Sequence, residues 1–132
     1  MKSIHEERRY NRNHVWIEME DEFIGRCGIT DRCLERIDSI VFVEFPEVNM
    51  EVRMGERVAF VESYSAFFDM VSPVSGRITE INTFLEHNPT IINRDPYGEG
   101  WIYKIDIKEP NEISELMTSD EYNDYSDGGG DI

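Results

Sequence analysis

Apolar positions along the 132-residue chain fall mostly into short alternating runs separated by turn residues. Val15 and Ile17 alternate with Trp16 and Glu18, and the acidic cluster Glu20-Asp21-Glu22 reads as a turn before a second short strand at Phe23-Ile24. Thr30 and Asp31 are good N-cap types, and Cys33, Leu34 and Ile37 follow at helical spacing, so a short helix is predicted over 31–38. Ile40 to Phe45 reads as a strand stopped by Pro46. Turn signals then come close together. Gly55 marks a turn, Arg57 to Glu62 a strand, Ser72-Pro73-Val74-Ser75-Gly76 another turn, and Arg77 to Ile81 a half-buried strand. A helical turn is predicted at Thr83 to His87, an irregular stretch from Asn88 to Gly100, and a last strand from Trp101 to Ile107. A C-terminal helix is expected to start at Asn111, with Ile113, Leu116 and Met117 on one face. The two strand–turn–strand halves around 50–82 could pack as a pseudo-symmetric pair. Many short strands with frequent turns predict an all-β sandwich or barrel carrying small helices.

Outside this patterned body the chain is polar. Residues 1–13 read as an N-terminal arm, residues 14–122 as the domain, and residues 123–132, ending in Gly128-Gly129-Gly130, as an acidic disordered tail. Hydrophobic residues make up 39%, enough for one core, and no run reaches the roughly 18 apolar residues of a membrane-spanning helix. The start has no apolar signal-peptide region, so a cytoplasmic protein is expected.

Charge narrows the partners. The net charge is −15, and only five of the acids lie in 118–132, so the body is acidic in its own right. Nucleic acid and anionic membranes both call for basic patches and are excluded as electrostatic partners. The acidity serves solubility, or it meets basic partners.

Reactive groups are sparse. Cys27 and Cys33 have a C-x5-C spacing that matches no common zinc pattern, and His5, His14 and His87 are scattered, so no metal site is expected. The cysteines read as small buried thiols. Ser63, Ser65, Ser72 and Ser75 have no histidine in their segment, Asp95-Pro96-Tyr97-Gly98 reads as a turn, and no phosphate-binding glycine loop is present, so no enzyme is expected. Trp16 and Trp101 read as core or rim aromatics.

Several motifs occur together in order. These are His14-Val15-Trp16, Gly28-Ile29-Thr30, Ile40 to Val48 (IVFVEFPEV), Val61-Glu62-Ser63, Ser72 to Gly76 (SPVSG) and Asn93 to Trp101 (NRDPYGEGW), and the order and spacing of the likeness hold from residue 14 to about residue 122. Together they resemble the H-protein family of the glycine cleavage system, the small lipoyl carriers. The resemblance implies a barrel-sandwich hybrid fold of the lipoyl/biotinyl-carrier type. It also implies protein partners among the glycine cleavage enzymes or the lipoate-attaching enzymes.

That family carries lipoate on a lysine in a hairpin sequence V-E-S-V-K-A. Here the stretch reads Val61-Glu62-Ser63-Tyr64-Ser65-Ala66, which puts Ser65 at the lysine position, with Glu62, Ser63 and Gly76 at flanking family positions. The only lysines are Lys2, Lys104 and Lys108. No cofactor is therefore expected. The chain reads as a degenerate H-like protein acting as a protein-binding module. A carrier with an unexpected attachment and a structural subunit with an unrelated partner remain alternatives. Tyr64, Phe67 and Phe68 crowd the hairpin, and three aromatics at a protruding turn should not stand open to water. Either a Phe folds inward, or these rings fill the groove where the family's loaded arm rests or bind a partner.

Overall fold

The computed structural model describes residues 8–128. Its strands are β1 (Arg9–Tyr10), β2 (Val15–Met19), β3 (Ile24–Ile29), β4 (Ile40–Glu44), β5 (Glu51–Val52), β6 (Arg57–Ser63), β7 (Phe67–Val71), β8 (Gly76–Ile81) and β9 (Tyr103–Ile107). Among the described residues there are three short α-helices: α1 (Asp31–Leu34), α2 (Ile91–Arg94) and, after the last strand, α3 (Ser119–Asp127). The strands form a six-stranded sheet in the order β1-β2-β3-β9-β8-β5 and a three-stranded sheet in the order β4-β6-β7, antiparallel throughout. This is the mainly β, barrel-sandwich architecture expected. The halves around 50–82 pair with each other, β5 with β8 and β6 with β7.

Alternation puts the core between the sheets. Val15, Ile17, Cys27, Ile29, Ile78 and Ile105 face it from the large sheet, and Ile40, Val43, Val61, Phe68 and Met70 from the small one. Both cysteines are free and buried, and burial pushes each thiol up to about 12. They are packing groups, as their spacing suggested.

The ends of the chain depart from expectation. The proposed arm of residues 1–13 covers 1–7, which lie outside the described residues, and 8–13, which are built into the fold. Arg9 and Tyr10 pair with Ile17 and Trp16, and Arg8 is buried beside Glu18 at 3.2 Å. The guanidinium is neutralised by Glu18 and lies against aromatic rings, so a polar sequence still packs. Arg8 lies over the Tyr97 ring, 3.9 Å from its centre.

At the other end, Asn111 does not start the helix. Pro110–Glu115 is a 3-10 turn, and α3 begins after Thr118. The Thr118 hydroxyl accepts from the Glu121 amide while the Glu121 carboxylate accepts from the Thr118 amide, a reciprocal cap that outcompetes Asn111. The helix runs through Asp127, past the expected boundary at 122, because Tyr122 and Ser126 are buried on its inner side. Residues 129–132 lie outside the described residues. Smaller shifts are similar in kind. The helix at 31 stops at Leu34, the turn at Thr83–Glu86 is 3-10, α2 occupies part of the stretch read as irregular, and the last strand starts at Tyr103.

Candidate functional site

The β6–β7 hairpin carries the residues singled out in the sequence. Glu62 pairs with Phe67 and Val61 with Phe68, leaving Ser63 to Ala66 as the tip. Ser63 closes it. Its amide donates to the Ala66 carbonyl at 2.8 Å, and its hydroxyl accepts from the Ala66 amide at 3.0 Å. Ser63 is buried, so its role is to satisfy the turn. The Ser65 amide donates to Asp38 Oδ1 at 3.2 Å, tying the tip to the segment between α1 and β4. Hydrogen bonds from Ser63, and then from Ser65, hold the Asp38 carboxyl below its usual range.

Tyr64 and Ser65 face solvent, with Tyr64 at 79% exposure. Phe67 is 72% exposed and Phe68 only 9%. The three aromatics therefore separate. Phe68 belongs to the core, which corrects its placement in a partner-binding set, because adjacent residues of a strand point to opposite faces. A groove of about 270 Å3 lies where β1, the end of β7 and residues 115–117 meet, lined by Tyr10, Asn11, Val71, Pro73 and Leu116. Neither Phe67 nor Phe68 lines it.

Gly76 acts elsewhere. It lies in β8 between Val52 and Ile107, where a Cβ would collide with the Asp106 carbonyl oxygen. It lets strands approach in the large sheet and makes no part of the hairpin tip.

Sequence reading missed two residues of this surface, Phe42 and Phe60. On the outer face of β4-β6-β7, Phe42 stands 5.9 Å from Phe60, and Phe60 stands 6.2 Å from Phe67, ring centre to ring centre. The signal was available, since inward Val43 and Val61 turn Phe42, Phe60 and Glu62 outward.

The tip presents a hydroxyl and a phenol, and no amine. Among the described residues the two lysines lie on or just past β9, in the other sheet. Lys104 pairs with Glu20 at 3.0 Å and Glu80 at 3.6 Å, above the Trp101 ring, and Lys108 pairs with Glu51. His14 is buried against the Tyr122 hydroxyl. No group of His, Cys, Asp and Glu among the described residues could hold a metal ion, and no helix there is long and apolar enough to cross a membrane.

Comparison with known proteins agrees with this architecture. The family model "Glycine cleavage H-protein" matches residues 8–128. The chain is 44% identical over 113 residues to a glycine cleavage system H protein of Coxiella burnetii, covering 86% of this chain and 87% of that one. It is 38% identical over 118 residues to the Thermotoga maritima protein of the same name, covering 89% and 94%. A crystal structure of the H protein from Mycobacterium marinum superposes with a TM-score of 0.82 at 35% identity, covering 94% of this chain and 98% of that one. With a match that takes in both sheets, the β6–β7 hairpin and the C-terminal helix, this chain belongs to the glycine cleavage H-protein family.

Proposed function

We propose that this H-family protein carries no lipoyl arm and works as a protein-binding module toward enzymes of glycine cleavage or lipoate attachment, in the cytoplasm. The family is one of carriers and not of enzymes. The reading rests on one observation: the exposed hairpin tip, where the family motif has its lysine, offers Ser65 and no amine.

The chemistry is decisive for the arm. Lipoate is attached as an amide, so its acceptor must be a nucleophilic nitrogen. A lysine amine, with a pKa of about 10.4 when unperturbed, can deprotonate and attack an activated acyl group. It also adds a four-carbon stem to the reach of the arm. A serine oxygen is one carbon from the backbone, and its ester would hydrolyse more readily than an amide. Hydrogen bonding keeps Asp38, the carboxylate beside Ser65, in its ionised, weakly basic form, which suits a tether better than a general base. The residues present therefore do not fit a lipoyl group at this tip.

What remains is a surface. Tyr64 and Phe67 stand exposed beside the tip and supply apolar area for a partner. The test is intact mass after co-expression with a lipoate ligase. An unchanged mass is expected, and a lipoyl adduct on any residue overturns the reading.

A further inference from the structure

The outer face of the three-stranded sheet is a checkerboard. Register places Phe42, Glu62 and Phe67 in one row, and Glu44, Phe60 and Asp69 in the next. In the second row the centre is aromatic and the flanks are carboxylates, and a cation already occupies it. The Arg57 guanidinium lies 5.5 Å from the centre of the Phe60 ring, 3.3 Å from Asp69 and 3.9 Å from Glu44. In the first row the pattern is inverted, with Glu62 standing in register between two exposed phenylalanines. Among the described residues no ion pair reaches Glu62.

We propose that the Phe42–Glu62–Phe67 row receives an arginine side chain from a protein partner. The second row shows on the same face what such a site holds. A guanidinium is planar and weakly hydrated, so it can lie on a phenyl face while its edge pairs with a carboxylate. An ammonium is more tightly hydrated and suits this site less. Net charge sets the sign of the partner. At −15 this chain attracts a basic surface and repels a second copy of itself. Phe42 and Phe67 would otherwise remain open to water at 48% and 72% exposure. The inference rests on reading this face as a docking surface, and it supplies the chemistry of what docks.

The experiment is a titration of the full chain with a tetra-arginine peptide, followed by amide NMR shifts, with tetra-lysine as the comparison. Shifts should concentrate at Phe42, Glu62 and Phe67, and tetra-arginine should bind more tightly than tetra-lysine. Glu62→Gln and Phe67→Leu should each weaken tetra-arginine binding roughly fivefold, the size of one exposed cation–aromatic or charge contact. Glu22→Gln removes the same charge from a loop of the other sheet and should leave affinity unchanged. An equal loss in Glu22→Gln, or shifts spread over the whole acidic surface, would mean generic attraction and overturns the proposal. So does the absence of saturable binding. The titration does not depend on lipoate, so this inference and the mass test above can fail separately.

Discussion

The rings of Tyr10 and Tyr122 stack 4.6 Å apart and within 8° of parallel, joining β1 near the start of the chain to α3 near its end. The Tyr122 hydroxyl lies 2.7 Å from His14 Nδ1 and 2.7 Å from the Thr30 hydroxyl, so one side chain ties together β1, the entry to β2, the cap of α1 and the last helix. Burial raises its pKa to about 12, keeping the phenol protonated at neutral pH.

Tyr122 should therefore matter to stability out of proportion to its place near the end. Tyr122→Phe removes one hydrogen bond from each of the buried residues Thr30 and His14 and should cost about 1–3 kcal/mol. Tyr122→Ala also removes the stack and should cost about 3–5 kcal/mol. Urea denaturation would check both, and equal midpoints for the two variants would show that the ring contributes nothing beyond its hydroxyl.

The two neighbouring phenylalanines of β7 should behave oppositely. Phe68→Ala opens a cavity in the core and should cost about 3–5 kcal/mol. Phe67→Ala touches an exposed ring and should change stability by no more than about 0.5 kcal/mol. Thermal unfolding of the pair reads this directly.

Gly76→Ala should be severely destabilising although the change is one methyl group, because the Cβ meets backbone that cannot move aside. Loss of soluble expression or a sharply lowered melting temperature is the expected result. A wild-type melting temperature would contradict the close approach to Asp106.

Acid should weaken the C-terminal helix through its cap. Hydrogen bonds from Thr118 hold the Glu121 carboxyl below its usual pKa, so the folded state favours the ionised form. The stabilisation is in place above the unfolded carboxyl pKa of about 4.3, and it is lost as pH falls through the lowered folded value. The stability gap between wild type and Glu121→Gln, measured by denaturation from pH 7 to pH 3, should narrow toward the acid end. A constant gap would place the cap's contribution in contacts that do not titrate.

Ser65→Lys asks whether the rest of the hairpin is still a modification substrate. Glu62 and the Ser63 turn are intact, and position 65 is exposed. The variant should gain the mass of one lipoyl group when co-expressed with a lipoate ligase. A variant that folds and gains nothing would locate further divergence in Tyr64 and Phe67.

Local pattern determined much of this protein from the chain alone. Alternation along β2, β4, β6 and β8, with turns at Gly55 and Ser72–Gly76, is a near-neighbour property, so the strands and the mainly β class were legible. The Ser at position 65 and the scarcity of lysines needed no coordinates. Tertiary contacts decided the rest. Arg8, Arg9 and Tyr10 read as a polar arm until a distant helix and strand supply Tyr122 and Glu18 to satisfy them. The start of α3 was settled by competition between two caps, and Phe67 and Phe68 were separated by the strand's pleat. The outer face that gathers Phe42, Phe60 and Phe67 comes from three strands whose register no single segment encodes, because cross-strand pairing is fixed by which sides of the strands the core consumes.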